Sequence, residues 1–148
     1  MEEKSAFESF ELGVNQEIKG YLEEISKWSY FLSILGFVGI GFMVFGGIAV
    51  AITGAASSGL DGFYGTGYTT GMALFYILLA LLYFFPVLYL FKFSKNMKSA
   101  LRLTNGQDFK VAFSNLKSHY KFIGIFTIVI ISLYILVLIG VATGAALF

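Results

Sequence analysis

Residues 122–148 read FIGIFTIVIISLYILVLIGVATGAALF, a long apolar run without a charged side chain. Two similar runs precede it, WSYFLSILGFVGIGFMVFGGIAVAITGA at 28–55 and MALFYILLALLYFFPVLYLFKFS at 72–94, and only Lys92 within them is charged. A helix needs about 20 mostly apolar residues to cross the hydrocarbon core of a bilayer. All three runs meet that length. The sequence therefore predicts an all-α membrane protein with three transmembrane helices.

The composition agrees with this class and limits the chemistry. The chain is 57% hydrophobic and 13% charged, whereas about a quarter of the residues in soluble domains are charged. Its 148 residues form one expected membrane domain, 1–148, with no separate catalytic domain. There is no cysteine, which excludes disulfides, thiolate metal sites and cysteine nucleophiles. A polar, Glu-rich segment precedes the first run, so we expect an uncleaved anchor and no cleavable signal peptide.

The positions of Lys and Arg predict the orientation in the membrane, because cytoplasmic loops carry their excess. Three lie before the first span, none lies in the 56–71 loop or the C-terminal end, and the others lie within 92–121. We expect the N-terminus and the 95–121 connection in the cytoplasm, and the Gly-rich 56–71 loop and the C-terminus outside.

The N-terminal segment 1–27 has the pattern of a cytoplasmic amphipathic helix. Ser5 and Glu8 form a capping box, and apolar residues follow at helical spacing. Seven Glu and three Lys give this segment a net charge of −4, whereas seven basic residues and one Asp give 92–121 a net charge of +6.

The connection 95–121 is predicted to be a cytoplasmic helical hairpin that extends spans two and three. Apolar residues keep helical spacing past the second run to about Leu103, and Asn105-Gly106 is a typical helix stop. Asp108 is the expected cap of the following helix. Pro86, inside span two, is expected to kink that helix.

Basic residues form two stripes on this hairpin. Three interpretations remain: they fix the topology alone, they bind anionic lipid headgroups, or they dock the acidic segment 1–27. The residues are Lys92, Lys95, Lys98, Arg102, Lys110, Lys117 and Lys121.

Small residues spaced four apart allow helix backbones to approach closely in lipid. Gly47, Ala51 and Ala55 form such a series in span one, and Gly140 and Gly144 form one in span three. The favoured interpretation of the second series is packing of span three on span one within the chain, and the alternative is dimerisation.

The polar residues of the spans give little support for chemistry. His119 is the only histidine, at the expected membrane edge, and we interpret it as an interfacial residue with no role in metal binding. We find no catalytic, nucleotide-binding or nucleic-acid-binding motif and expect no cofactor.

The leading hypothesis is a non-enzymatic assembly or accessory subunit that forms a homo-oligomer or joins a larger complex. The alternative is a small oligomeric channel or transporter lined by Ser33, Thr53, Thr127, Ser132 and Thr143.

Three stretches carry a resemblance to a known family. They are KWSYFLSILGFVGIGFMVFGGI at 27–48, LLYFFPVLYLFKFSKNMKSAL at 81–101 and NLKSHYKFIGIFTIVIISLY at 115–134. They resemble a family of small bacterial multi-pass proteins classed as a domain of unknown function. The resemblance implies a bacterial cytoplasmic membrane protein and supplies no activity, cofactor or catalytic residue.

Overall fold

A computed structural model describes residues 16–57 and 65–146, and all of them except Thr104 and Asn105 are helical. Helix α1 covers Gln16–Ser57, α2 covers Gly65–Leu103 and α3 covers Gly106–Ala146. Each helix is long and apolar enough to cross a membrane. The predicted all-α fold with three such helices is therefore confirmed.

The helices are longer than the apolar runs that predicted them. They contain 42, 39 and 41 residues, which corresponds to about 60 Å each, or twice the thickness of the hydrocarbon core. Two boundaries differ from the prediction. Residues 16–27 are the first turns of α1 and do not form a separate helix, and α2 begins within the segment that was expected to be loop. The predicted capping box at Ser5 and Glu8 lies outside the described residues.

Helix α2 lies between the other two helices. It packs on α1 along its length and on α3 along part of its length, whereas α1 and α3 share no pair of Cα atoms within 8 Å in the described ranges. The expected packing of span three on span one is therefore not formed. The physical reason is that α2 presents two separate packing faces, so α1 and α3 lie on different sides of it.

The α1 face toward α2 follows a repeat of alternating four- and three-residue steps. All of its buried described residues belong to this series, which continues through half-buried residues. A repeat of this kind keeps one seam facing a partner helix over many turns. The series is Leu22, Ser26, Ser29, Ser33, Gly36, Ile40, Met43, Gly47, Val50 and Gly54.

Three glycines of this seam let the two helices approach closely. A Cβ on Gly36 would lie 2.7 Å from Val87 Cγ2, and one on Gly47 would lie 3.3 Å from the Ala73 carbonyl oxygen. A Cβ on Gly54 would overlap Thr69. Small residues allow such an approach of helix backbones in lipid.

The predicted small-residue series of span one is only partly in this seam. Gly47 lies in it, but Ala51 is exposed, and the surroundings of Ala55 lie outside the described part of the structure. A strict step of four advances past 3.6 residues per turn, so the third small residue turns away from the seam.

The turn between α2 and α3 consists of Thr104 and Asn105. Thr104 has a φ of 51°, and the N–H of Asn105 donates to the carbonyl of Ala100 at 3.1 Å. This arrangement is a Schellman motif, in which a left-handed residue ends the helix. The Asn105 side chain then accepts from the N–H of Gln107 at 3.0 Å and caps α3.

The sequence had predicted Asp108 as the cap of α3, and this prediction is wrong because Asn105 is the cap. The Asp108 carboxylate instead accepts a hydrogen bond from the Ser99 hydroxyl of α2 at 2.7 Å. The cap is one turn earlier because α3 already begins at Gly106. Asp108 thus links the two helices across the turn.

The packing of α2 on α3 is largely aromatic and ends partway along α3. Its buried centre is Phe93, Met97 and Ala112, joined by partly buried residues that include Leu22 of α1. Phe126 contacts the Tyr83 ring at 5.8 Å between centroids. All residues from 127 to 143 are exposed.

Candidate functional site

The basic residues lie at the end of the helices where α2 turns into α3, which we call the basic end. All seven predicted residues are exposed: Lys92, Lys95, Lys98 and Arg102 on α2, and Lys110, Lys117 and Lys121 on α3. The structure does not gather these residues into one site. Two of them, Lys95 and Lys98, line the same cavity.

This cavity lies between α1 and α2 and has a volume of about 350 Å³. We call it the lysine groove. Two of its lining residues are the predicted basic residues of α2, and a third lysine comes from α1. The lining residues are Ser26, Lys27, Tyr30, Ser94, Lys95 and Lys98.

Two buried serines bring the helices together at the lysine groove. The Ser94 hydroxyl donates to the Ser26 carbonyl at 2.8 Å, and the Ser26 hydroxyl donates to the Ser94 carbonyl at 3.4 Å. Each side chain thus satisfies its donor on the opposite backbone, which a residue without a hydroxyl could not do. The two short side chains fix the register of α1 against α2 at this level.

Aromatic contacts hold one wall of the lysine groove. The ring of Tyr30 stacks on Phe91 with centroids 5.6 Å apart, and the ammonium of Lys95 lies 5.5 Å from the centroid of Phe91. A cation near an aromatic face is attracted by the ring quadrupole. Phe91 therefore positions both the phenol of Tyr30 and the ammonium group of Lys95.

The lining of the lysine groove has positive charge and no carboxylate. Its three ammonium groups form no ion pair with any residue of the described chain. Ammonium groups only donate hydrogen bonds. The groove can therefore accommodate an anion that carries several acceptor oxygens.

The acidic residues of α1 do not neutralise the basic end. Glu17, Glu23 and Glu24 are exposed and make no ion pair within the described residues, and the remaining Glu of the N-terminal segment lie outside them. The first turns of α1 pack through Leu22 and Ser26 instead. The contact between α1 and α2 at this level is therefore made by apolar and hydroxyl groups.

His119 has a specific partner. Its Nδ1 lies 2.7 Å from the backbone carbonyl oxygen of Pro86, and because a carbonyl only accepts, the hydrogen must be on Nδ1. The contact joins α3 to α2 at the only proline, and α2 continues through Pro86 without a break. No group of three His, Asp or Glu side chains that could hold a metal ion exists within 16–57 and 65–146.

The polar residues proposed to line a channel bond mainly to their own helices. Ser33 is buried between α1 and α2 and donates to the Tyr30 carbonyl. Thr53, Ser132 and Thr143 are exposed, and each donates to a carbonyl three or four residues earlier. Thr127 is also exposed.

Two glycines of α3 have open space around them. A Cβ on Gly140 would meet no atom within 4 Å, and the same holds for Gly124. The surroundings of Gly144 are outside the described region. The predicted packing face of span three is therefore unoccupied at Gly140 in a single chain.

The sequence analysis did not predict a role for Lys27 or the contact between Ser26 and Ser94. Lys27 was counted only in the charge of the N-terminal segment, because nothing local to it indicates that α1 brings it beside Lys95 and Lys98. A signal for the serines was present in the steps of three and four that join Ser26, Ser29 and Ser33, which place hydroxyls on one helix face.

Comparisons with known proteins give one match. No curated protein and no solved structure matches the chain. A family model described as a family of unknown function (DUF5362) matches residues 66–142, which is just over half of the chain and covers α2, the turn and most of α3. The chain therefore belongs to this family of unknown function, and its three apolar helices make it a membrane protein.

Proposed function

We propose that this protein is a non-enzymatic, multi-pass subunit of the bacterial cytoplasmic membrane that assembles through the outer half of α3. The N-terminus and the basic end would lie in the cytoplasm, since all ten Lys and Arg lie on that side of the spans. The partner is a second copy of this chain.

The observation that carries the proposal is the open face of α3. Residues 127–143 are all exposed, and Gly140 has free space around it. Lipid chains are as apolar as these side chains, so exposure alone does not demand a partner. An open glycine, however, lets the backbone of another helix approach closely, and packing against lipid does not require such a residue.

A second open face supports self-assembly. Gly39 and Gly46 of α1 are seven residues apart, and a Cβ on either would meet nothing within 4 Å. They lie outside the seam that α1 uses to pack on α2. A second chain therefore has small-residue surfaces available on both α1 and α3.

Disulfide scanning tests the proposal, and because the chain has no cysteine, no background must be removed. Cysteines at Leu133, Val137 and Gly140 lie on one face of α3, and we expect them to form dimers in native membranes. Cysteines at Ile135 and Leu138 lie on the opposite face and should not. Equal cross-linking at all five positions, or none at any, would overturn the proposal.

Two further measurements test the remaining parts. A reporter fused after Phe148 should be outside the cytoplasm, and a cytoplasmic reporter would contradict the orientation. Reconstituted liposomes should show no flux of ions or small solutes, and flux would instead favour the alternative of an oligomeric channel or transporter.

A further inference from the structure

We infer that the lysine groove between α1 and α2 binds the phosphate group of an anionic phospholipid. Three lysines and one tyrosine line a cavity of about 350 Å³, and they come from two helices. This inference does not depend on self-assembly, because the groove is formed within one chain and lies far from the outer half of α3.

The charge of the groove selects an anion with several oxygens. Lys27, Lys95 and Lys98 supply only donors, and none of them has an ion-pair partner among the described residues. The hydroxyl of Tyr30 also makes no hydrogen bond within the described ranges, although its ring is fixed by Phe91. A phosphodiester offers acceptor oxygens and a negative charge to all four groups.

The serines make the floor of the groove without competing for the ligand. The hydroxyls of Ser26 and Ser94 both donate to the facing backbone, and the side chains are 3% and 2% exposed. Their hydrogens are therefore committed to holding the helices together. This leaves the ammonium groups and the phenol as the donors that face an anion.

The position of the groove indicates a lipid as the source of the phosphate. Lys27 directly precedes the first apolar run and Lys95 directly follows the second, so the groove lies where the apolar surface ends. Trp28 and Phe31, which neighbour the groove residues Lys27 and Tyr30 in the sequence, are apolar and 58% and 51% exposed. A phospholipid has this same order of charged headgroup and apolar chain, and basic pockets between spanning helices bind anionic headgroups.

Binding can be measured on the full chain in mild detergent by native mass spectrometry. Phosphatidylglycerol should bind to the wild-type protein at lower concentration than phosphatidylcholine. The variant K27Q/K95Q/K98Q should raise the Kd for phosphatidylglycerol by about a hundredfold, because each basic residue near anionic headgroups contributes about fivefold. The matched control is K110Q/K117Q/K121Q, which removes the same charge from positions on α3 outside the groove and should raise the Kd much less than the groove variant does.

Each contrary result has a defined meaning. An equal loss in both triple variants would show general attraction between charges and would overturn the groove. Displacement of the lipid by millimolar inorganic phosphate would show that a soluble anion is the ligand and would overturn the lipid assignment. If the triple variant does not fold, Tyr30→Phe and Lys27→Gln test the same site, and the inference is overturned if neither weakens binding.

Discussion

His119 of α3 donates from Nδ1 to the backbone carbonyl of Pro86 in α2 at 2.7 Å. The histidine is half-buried, and the pair lies between the contacts Phe85–Phe122 and Phe93–Phe113 that also join these helices. A carbonyl has two lone pairs, so this oxygen can accept from the imidazole as well as from its own helix. The contact fixes both the register of α3 and the tautomer of the ring.

Replacing His119 by Ala is expected to destabilise the packing of α3 on α2. Hydrogen bonds between helices in membranes contribute about 0.6–2 kcal/mol, so the thermal transition in detergent should fall. Lys117→Ala is the matched control, since Lys117 is exposed two residues away and should have little effect. In ¹⁵N NMR spectra the neutral imidazole should be protonated at Nδ1, and a ring protonated only at Nε2 would contradict the contact.

Substitution of Gly36 by Ala should weaken the seam between α1 and α2. The added methyl would lie 2.7 Å from Val87 Cγ2, and overpacking of this kind costs about 1–3 kcal/mol. Gly41→Ala is the control, because open space surrounds Gly41 and Ala is the better helix former. Val87→Ala should restore the stability of Gly36→Ala in a double variant. Unfolding in SDS titrations measures all three, and equal effects at Gly36 and Gly41 would refute the close contact.

The two serine hydrogen bonds should contribute unequally. Ser94 donates at 2.8 Å and Ser26 at 3.4 Å, and a hydrogen bond weakens as it lengthens beyond its usual range. Ser94→Ala is therefore expected to cost about 1 kcal/mol and Ser26→Ala less. Ser118→Ala, in which the hydroxyl bonds only within its own helix, serves as the control. A larger loss for Ser26→Ala would be inconsistent with these distances.

Thr104→Gly is expected to stabilise the turn between α2 and α3. The φ of 51° at Thr104 costs an L residue about 1 kcal/mol or more, and glycine avoids this cost. The variant should raise the thermal transition temperature, whereas Lys110→Gly, in the interior of α3, should lower it. A decrease for both variants would argue against a left-handed residue at this position.

Asn105→Ala should destabilise the first turn of α3 more than Asp108→Ala does. Asn105 accepts from the N–H of Gln107, and loss of such a cap costs about 1 kcal/mol. Asp108 contacts Ser99 across the turn, so its removal should loosen the turn and leave the helix cap intact. Amide hydrogen exchange separates the two effects, because faster exchange confined to the first turn of α3 is expected only for Asn105→Ala.

Local properties explain which parts of the fold were predictable. The three spans follow from apolar runs that are long enough to cross the hydrocarbon core. The end of α2 at Leu103 follows from the point where apolar residues stop recurring at helical spacing. The cap was misplaced by one turn because both Asn105 and Asp108 are good N-cap residues. The choice between them depends on Thr104, which ends α2 in a left-handed conformation. No sequence pattern predicted that conformation at a threonine.

By itself, the sequence determined that this chain is an all-α membrane protein with three helices and one strongly basic segment, because hydropathy and charge depend only on the order of residues along each helix. The tertiary structure alone decided that α2 lies between α1 and α3, that Gly36 and Val87 meet, and that Lys27 joins Lys95 and Lys98. The physical reason is that lipid and a neighbouring helix are equally apolar. Hydropathy therefore cannot distinguish a packed face from a lipid-facing one, and the shapes of small residues make that choice.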